Sequence, residues 1–167
     1  MEFNEHSVIR IVVFDELINQ AKEITKQFDA QKDYEKFECS NNWYGILGEL
    51  IFKNYLEENK IPFNHIDFVK KGWEDPDFII NGKKIDVKTT KDYNLFIPEN
   101  QKSGKYDYYV LITFCEETNT AYIQGYITDK KAISTKLKCE HHGKTYKIIG
   151  LERLKPIKEF TEELCST

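Results

Sequence analysis

Apolar and polar positions follow a helical period in the first third of the chain and a strand period afterwards. Residues 15–30 place apolar side chains on one side of a helix that Asp15 would cap, and residues 42–59 predict a second helix opened by Asn41 or Asn42. The later residues predict strands at 63–69, 76–80, 83–90, 108–114 and 121–127, then a short helix capped by Thr128, a late strand within 144–154 and a helix at 157–164. This order indicates an α/β or α+β fold with a central mixed sheet.

The segment 76–90 predicts a β-hairpin, because Asn81-Gly82 favours a two-residue turn between paired strands. In the register that this turn sets, Phe78 pairs with Ile85. Alternation along the two strands then predicts one apolar face, formed by Phe78, Ile80, Ile85 and Val87.

The same register predicts that Asp77 lies opposite Asp86 on the other face, with Lys88 two residues further along. Directly opposed residues have Cβ atoms about 5 Å apart, and like charges at that separation are destabilising. A shared proton, a lysine or a hard divalent cation would compensate the repulsion. The alternative is an exposed hairpin whose lysines merely screen the two aspartates.

A third carboxylate, Glu49, falls on an apolar side of the predicted helix 42–59. Gly45 and Gly48 precede it, and each costs a helix about 1 kcal/mol relative to alanine. Two such residues within one turn indicate a close approach of the helix to a sheet. A carboxylate on that side needs a partner, unless Glu49 lies at the edge of the apolar stripe and reaches solvent.

Together these residues resemble the PD-(D/E)XK nuclease superfamily of restriction-type and repair-type enzymes. The matching residues are Pro76-Asp77, then Asp86-Val87-Lys88 after an eight-residue gap, and the upstream stretch GILGE that ends at Glu49. The resemblance covers roughly residues 42–128. It implies an α/β fold with a restriction-endonuclease-like core, in which a central mixed β-sheet is flanked by helices in the order αβββαβ.

The resemblance implies a metal-dependent endo- or exonuclease that hydrolyses nucleic acid, DNA by analogy with the family, through a water activated by Mg²⁺ or Mn²⁺. Asp77 and Asp86 would be the principal metal ligands, with the Val87 carbonyl as an addition. Glu49 would hold a metal directly or through water. Lys88 would orient the attacking water or stabilise the developing charge.

Two further polar residues, Gln101 and Lys105, fall where related nucleases often carry an extra polar residue on the next helix. They are therefore candidates for substrate binding. The alternative is that this stretch, within residues 97–107, is a surface loop.

Composition and charge restrict the other classes of function. The 167 residues are 40% hydrophobic and 31% charged, which predicts a single globular domain. The resemblance implies that residues 1–167 form one nuclease-like domain, with a core at about 42–128, N-terminal helical additions and C-terminal additions. The sequence contains no apolar run long enough for a membrane span and no secretory pattern at its start, and its four cysteines are scattered, so we expect a cytoplasmic protein that does not enter membranes. Cys139, His141 and His142 lack the second ligand pair of a zinc finger, and no nucleotide-binding glycine motif is present.

A second class of function stays open, since a fold does not guarantee its chemistry. The chain could be a catalytically silent domain of the same fold that binds nucleic acid or protein. Residues 60–151 carry 15 basic and 12 acidic residues although the whole chain has a net charge of -4, so a local basic surface is compatible with either class. The segments outside the core are the candidates for substrate choice or for a homodimer interface.

Overall fold

The computed structural model describes residues 8–31, 43–68, 70–71 and 75–166, and over these it is a mixed α/β structure. The strands are β1 (Ile9–Val12), β2 (Asn64–His65), β3 (Phe78–Ile80), β4 (Lys83–Thr90), β5 (Asn94–Pro98), β6 (Tyr108–Cys115), β7 (Thr120–Thr128), β8 (Lys138–His141) and β9 (Lys144–Gly150). The helices are α1 (Asp15–Gln31), α2 (Trp43–Glu58), α3 (Asp129–Ile133) and α4 (Ile157–Cys165). Among the helices of these ranges, none is long and apolar enough to cross a membrane.

The larger sheet has six strands in the order β1-β7-β6-β4-β3-β2. Its strands β4 and β6 are parallel, and its other neighbours are antiparallel, so the sheet is mixed as predicted. Helices α1, α2 and α4 pack against one face, where their apolar side chains form a core with those of the strands. The predicted central strand at 108–114 is β6, which lies in the middle of this sheet.

A smaller antiparallel sheet, in the order β5-β9-β8, lies on the other side of the larger one. Its inner face shares a second core with β6 and β7, formed by residues such as Leu95, Ile97, Leu111, Ile127 and Ile149. The sequence did not predict β5 or β8, nor β1 at the edge of the larger sheet. The predicted order αβββαβ is wrong at one position, because residues 91–107 form β5 and turns in place of a helix.

The predicted hairpin is confirmed in its turn and in the register of the three pairs from Ile80 and Lys83 to Phe78 and Ile85. Asn81 and Gly82 both have positive φ, 47° and 75°, as the expected two-residue turn requires. Phe78 pairs with Ile85, and the predicted apolar face is buried against α2. The predicted strand 63–69 is much shorter and spans only Asn64–His65, while Asn41 and Asn42, the predicted helix start, lie outside the described residues.

Gly48 allows α2 to approach β4 closely. A Cβ atom at Gly48 would lie 1.7 Å from Thr89 Oγ1 and 2.9 Å from Thr89 Cβ, whereas a Cβ at Gly45 meets nothing within 4 Å. The predicted close approach of helix and sheet is therefore confirmed at Gly48 alone. Because Glu49 is the next residue, the contact between Gly48 and Thr89 also fixes the position of Glu49 relative to the sheet.

We expect Gly48→Ala to lower the free energy of unfolding by roughly 1–3 kcal/mol, because overpacking at Thr89 outweighs the better helix propensity of alanine. Gly45→Ala is the matched control in the same helix and should raise stability by about 1 kcal/mol or less. Urea denaturation of both variants measures the difference. Equal stability of the two variants would contradict the close packing of Gly48 on β4.

Candidate metal and phosphate site

Glu49 is buried in α2 and is held by two basic side chains. Its Oε1 lies 3.1 Å from Nζ of Lys71, and its Oε2 lies 3.5 Å from Nε2 of His65. The second contact lacks hydrogen-bond geometry, so within the part of the chain that the structure describes Oε2 and the imidazole nitrogen both stay without a hydrogen bond. The alternative that Glu49 reaches solvent is therefore wrong, since only 8% of the residue is exposed.

Asp77 lies just before β3, and its carboxylate contacts both the hairpin backbone and Lys71. Its own N–H donates to the carbonyl of Ile85 at 3.0 Å, and its Oδ2 accepts the N–H of Val87 at 2.7 Å. The other oxygen, Oδ1, forms an ion pair with Lys71. The regular ladder thus ends at Phe78, and Asp77 does not form the next pair with Asp86 that the hairpin register predicted.

Asp86 and Lys88 lie on the side of β4 that faces away from α2, because the alternating residues Ile85 and Val87 pack in the core under that helix. Asp86 is 5% exposed, and its Oδ2 lies 2.8 Å from Nζ of Lys88. This separation is that of an ion pair, but the groups are not aligned as a hydrogen bond, and Oδ2 has no hydrogen-bond partner among the described residues. The side chain of Lys88 is 35% exposed, so its ammonium group is accessible.

Each of the two aspartates is therefore compensated by its own lysine. Lys71 bridges Glu49 and Asp77, and Lys88 pairs with Asp86. The expectation of an exposed hairpin with incidental charges is wrong, because both aspartates are buried. Val87 connects the two pairs, since its N–H binds Asp77 and it follows Asp86 in the chain. Its carbonyl as a metal ligand stays a prediction.

The donor groups fit a hard divalent cation, although they are not preassembled around one. In the part of the chain that the structure describes, no three His, Cys, Asp or Glu side chains are close enough to hold a metal ion together. The ammonium group of Lys71 accounts for this in part, because it occupies the space between Glu49 and Asp77. Carboxylate oxygens are nevertheless the ligands that Mg²⁺ and Mn²⁺ prefer, and Glu49 Oε2 and Asp86 Oδ2 are buried without hydrogen bonds.

Gln101 and Lys105 lie in turns between β5 and β6, so the alternative of a loop is confirmed and the helix implied by the resemblance is not formed. The amide of Gln101 donates to the hydroxyl of Tyr109, which in turn donates to Asp129 Oδ1 at 3.1 Å. Lys105 lies over the ring of Tyr106, with Nζ 5.2 Å from the ring centre. Gln101 therefore has a structural hydrogen bond, and substrate binding by either residue stays a prediction.

Asp129 organises this loop beside the site. Its Oδ2 accepts the N–H of Gly104 at 2.8 Å and the hydroxyl of Ser103 at 3.2 Å. Tyr109, which binds the same carboxylate, lies directly beside Asp86 in the parallel β4–β6 ladder. Burial raises the pKa of the Tyr109 hydroxyl, and the charges of Asp129 and Asp86 raise it further, so the hydroxyl stays protonated as a donor.

The residues that raised the question of zinc form a hairpin turn. His142 and Gly143 have φ of 49° and 71° and connect β8 to β9, while Cys139 and His141 lie on β8. This turn is in the smaller sheet and not beside the carboxylates.

Comparisons of the chain with protein-family models, with curated proteins and with solved structures found no match.

Sequence reasoning missed three residues of this region: His65, Lys71 and Asp129. Nothing in the local pattern marks His65 or Lys71 as partners of an acid that lies 16 or 22 residues earlier. The sequence indicated only that Glu49 needs a partner, because a carboxylate on an apolar side of a helix requires a cation or hydrogen-bond donor from elsewhere. Asp129 follows the cap residue Thr128, a position at which an acid is ordinarily explained by the helix dipole.

Proposed function

We propose that the chain is a metal-dependent nuclease with a restriction-endonuclease-like core. One observation carries the proposal. Three carboxylates are each at most 8% exposed: Lys71 pairs with both Glu49 and Asp77, and Asp77 accepts the N–H of Val87, which follows Asp86 in the middle of β4.

Stability alone is a weak reason for such an arrangement. Burying a carboxylate costs free energy even when it is paired, and a well-packed apolar set of similar volume is often as stable as a buried ion pair or more so. Clusters of buried charges concentrate at functional sites. The accessible ammonium of Lys88 beside the cluster supports chemistry on an anion, of which a phosphodiester is the class that the Asp-x-Lys pattern favours.

In this proposal each side chain has a defined role. Asp77, Asp86 and Glu49 would hold Mg²⁺ or Mn²⁺, which when bound supplies an activated water and neutralises charge at the phosphate. Lys88 donates to the attacking water or to a phosphate oxygen, where charge increases in the transition state. Lys71 pairs with both Glu49 and Asp77 while no metal is bound, one positive charge between two carboxylates.

A second candidate, a catalytically silent domain that binds nucleic acid or protein, is favoured by the position of Lys71. An internal ammonium group between Glu49 and Asp77 neutralises the same oxygens that a metal would need. If Lys71 keeps this position under all conditions, the carboxylates stabilise the fold and hold no metal.

The deciding experiment compares cleavage of linear duplex, circular duplex and single-stranded DNA, with Mg²⁺, Mn²⁺ or EDTA. We expect cleavage with a metal and none with EDTA, and a loss of at least about 10²-fold in Asp86→Asn. Asp107→Asn is the matched control, because it removes an exposed aspartate that accepts the N–H of Lys84 at the same hairpin. If no metal supports cleavage of any of these substrates, or if Asp86→Asn cleaves as the wild type does, the nuclease proposal fails.

A further inference from the structure

The outer face of the smaller sheet presents aromatic side chains from all three of its strands. Leu95, Ile97 and Ile149 fill the inner face, so their neighbours in the alternating pattern point outwards. Phe96 of β5 and Tyr146 of β9 are both half-buried on this outer face. His141 extends the row on β8, because Cys139 pairs with Tyr146 and alternation places His141 on the same side.

These rings line a cavity of about 340 Å³, within the range of small-ligand sites. Thr90 and Asp92 close one side of it from the end of β4, and Glu140 lines it from β8. The Thr90 hydroxyl is bound to the carbonyl of Asp92, which fixes this wall.

The cavity lies further along the strand that carries Asp86 and Lys88. Asp86, Lys88 and Thr90 alternate along β4 and therefore lie on the same side of it. Four residues of strand separate Asp86 from Thr90, or about 13 Å. A strand of nucleic acid with a phosphate at Lys88 could therefore place a nearby base in the cavity.

The chemistry of the lining selects a base and rejects a phosphate. Aromatic rings stack on the π face of any base. Asp92 and Glu140 make the lining negatively charged, which disfavours a phosphate in the cavity. Lys144 is exposed on the same outer face as Tyr146, where it can contact the backbone of the bound strand.

We propose that this cavity binds an unpaired nucleobase of the strand whose phosphate is held by Lys88, an inference that rests on the proposed function. A base inside a duplex is stacked on both sides and cannot enter a cavity without leaving the stack. The substrate class is therefore single-stranded or partly unpaired nucleic acid.

The test measures binding in EDTA, so that it does not depend on cleavage. Fluorescence anisotropy compares a labelled single-stranded oligonucleotide with a blunt duplex of the same length. We expect the single strand to bind at least about tenfold more tightly, and Tyr146→Leu to weaken its binding by about tenfold, the scale of one lost stacking contact. Duplex affinity should change less than about twofold, because it does not use the cavity.

A matched pair of histidines controls for folding, since both are exposed at the same hairpin. His141→Asn removes a ring of the cavity and should weaken single-strand binding about fivefold. His142→Asn changes a turn residue at positive φ, which asparagine tolerates, and should bind as the wild type does. Equal affinity for duplex and single strand, or wild-type binding by both Tyr146→Leu and His141→Asn, would overturn the inference. Cleavage without a single-strand preference would refute only the cavity, and cavity-dependent binding without metal-dependent cleavage would refute only the nuclease.

Discussion

Lys88→Ala is expected to lower metal-dependent cleavage by about 10²-fold or more while divalent-ion binding is retained. The reason is that Lys88 supplies one charged donor at the reacting phosphate or water, and removing a single electrostatic stabiliser costs about this factor. A protonated lysine is not a metal ligand, so the ion should still stabilise the variant. Because Lys88 is the ion-pair partner of the buried Asp86, its removal should also lower the free energy of unfolding in EDTA, by roughly 1–3 kcal/mol.

The measurement pairs a cleavage assay with melting curves in EDTA and in Mn²⁺ on the same protein. Lys84→Ala is the control, because Lys84 is an exposed lysine of the same strand that pairs with Ile79 of β3. Its cleavage should stay close to that of the wild type. If Lys88→Ala also cleaves normally, Lys88 only screens Asp86, and the carboxylates form a metal site at most.

Lys71→Met should reveal whether the buried carboxylates accept a cation. In EDTA the variant leaves Glu49 and Asp77 without their shared ammonium group, and we expect the free energy of unfolding to fall by about 3 kcal/mol. A divalent ion should restore most of this loss. At 100 times the dissociation constant, binding to the folded state contributes about 2.7 kcal/mol.

Urea denaturation with and without Mn²⁺ measures both effects. The gain from metal should be larger in Lys71→Met than in the wild type, because in the wild type the ion must first displace Lys71. Lys70→Met is the matched control, since Lys70 is the exposed neighbour. A variant that is destabilised but gains nothing from Mg²⁺ or Mn²⁺ would mean that Glu49 and Asp77 form a structural ion pair with Lys71.

The hairpin was predictable because its information is local. Asn81-Gly82 specifies the turn, the turn specifies the pairing of Phe78 with Ile85, and alternation then assigns the buried face. The predicted pairing is correct as far as Phe78 and wrong for Asp77. Asp77 leaves the ladder because its carboxylate takes the Val87 N–H, and a pairing rule cannot anticipate that a side chain replaces a strand partner.

The rest of the site depends on contacts between distant segments. Glu49 could be recognised as a buried acid, but its partner Lys71 lies in a stretch without helix or strand period. The smaller sheet was hidden for a related reason. The late strand predicted within 144–154 is β9, but its partner β5 lies about 50 positions earlier and does not stand out alone. The two aspartates, which were expected to repel each other, instead form separate ion pairs with Lys71 and Lys88.

Because β8 lies at the edge of the smaller sheet, its sequence can change with little effect on the rest of the fold. Within the described residues β8 pairs with β9 alone, and its turn at His142-Gly143 is exposed. Replacing or lengthening this turn would disturb one ladder at its open end, and the entropy cost of a longer loop grows slowly with its length. Glu49, Asp77 and Asp86 belong to the other sheet and its helix, so residues 138–143 form a segment that can be exchanged or diversified while the carboxylates keep their arrangement.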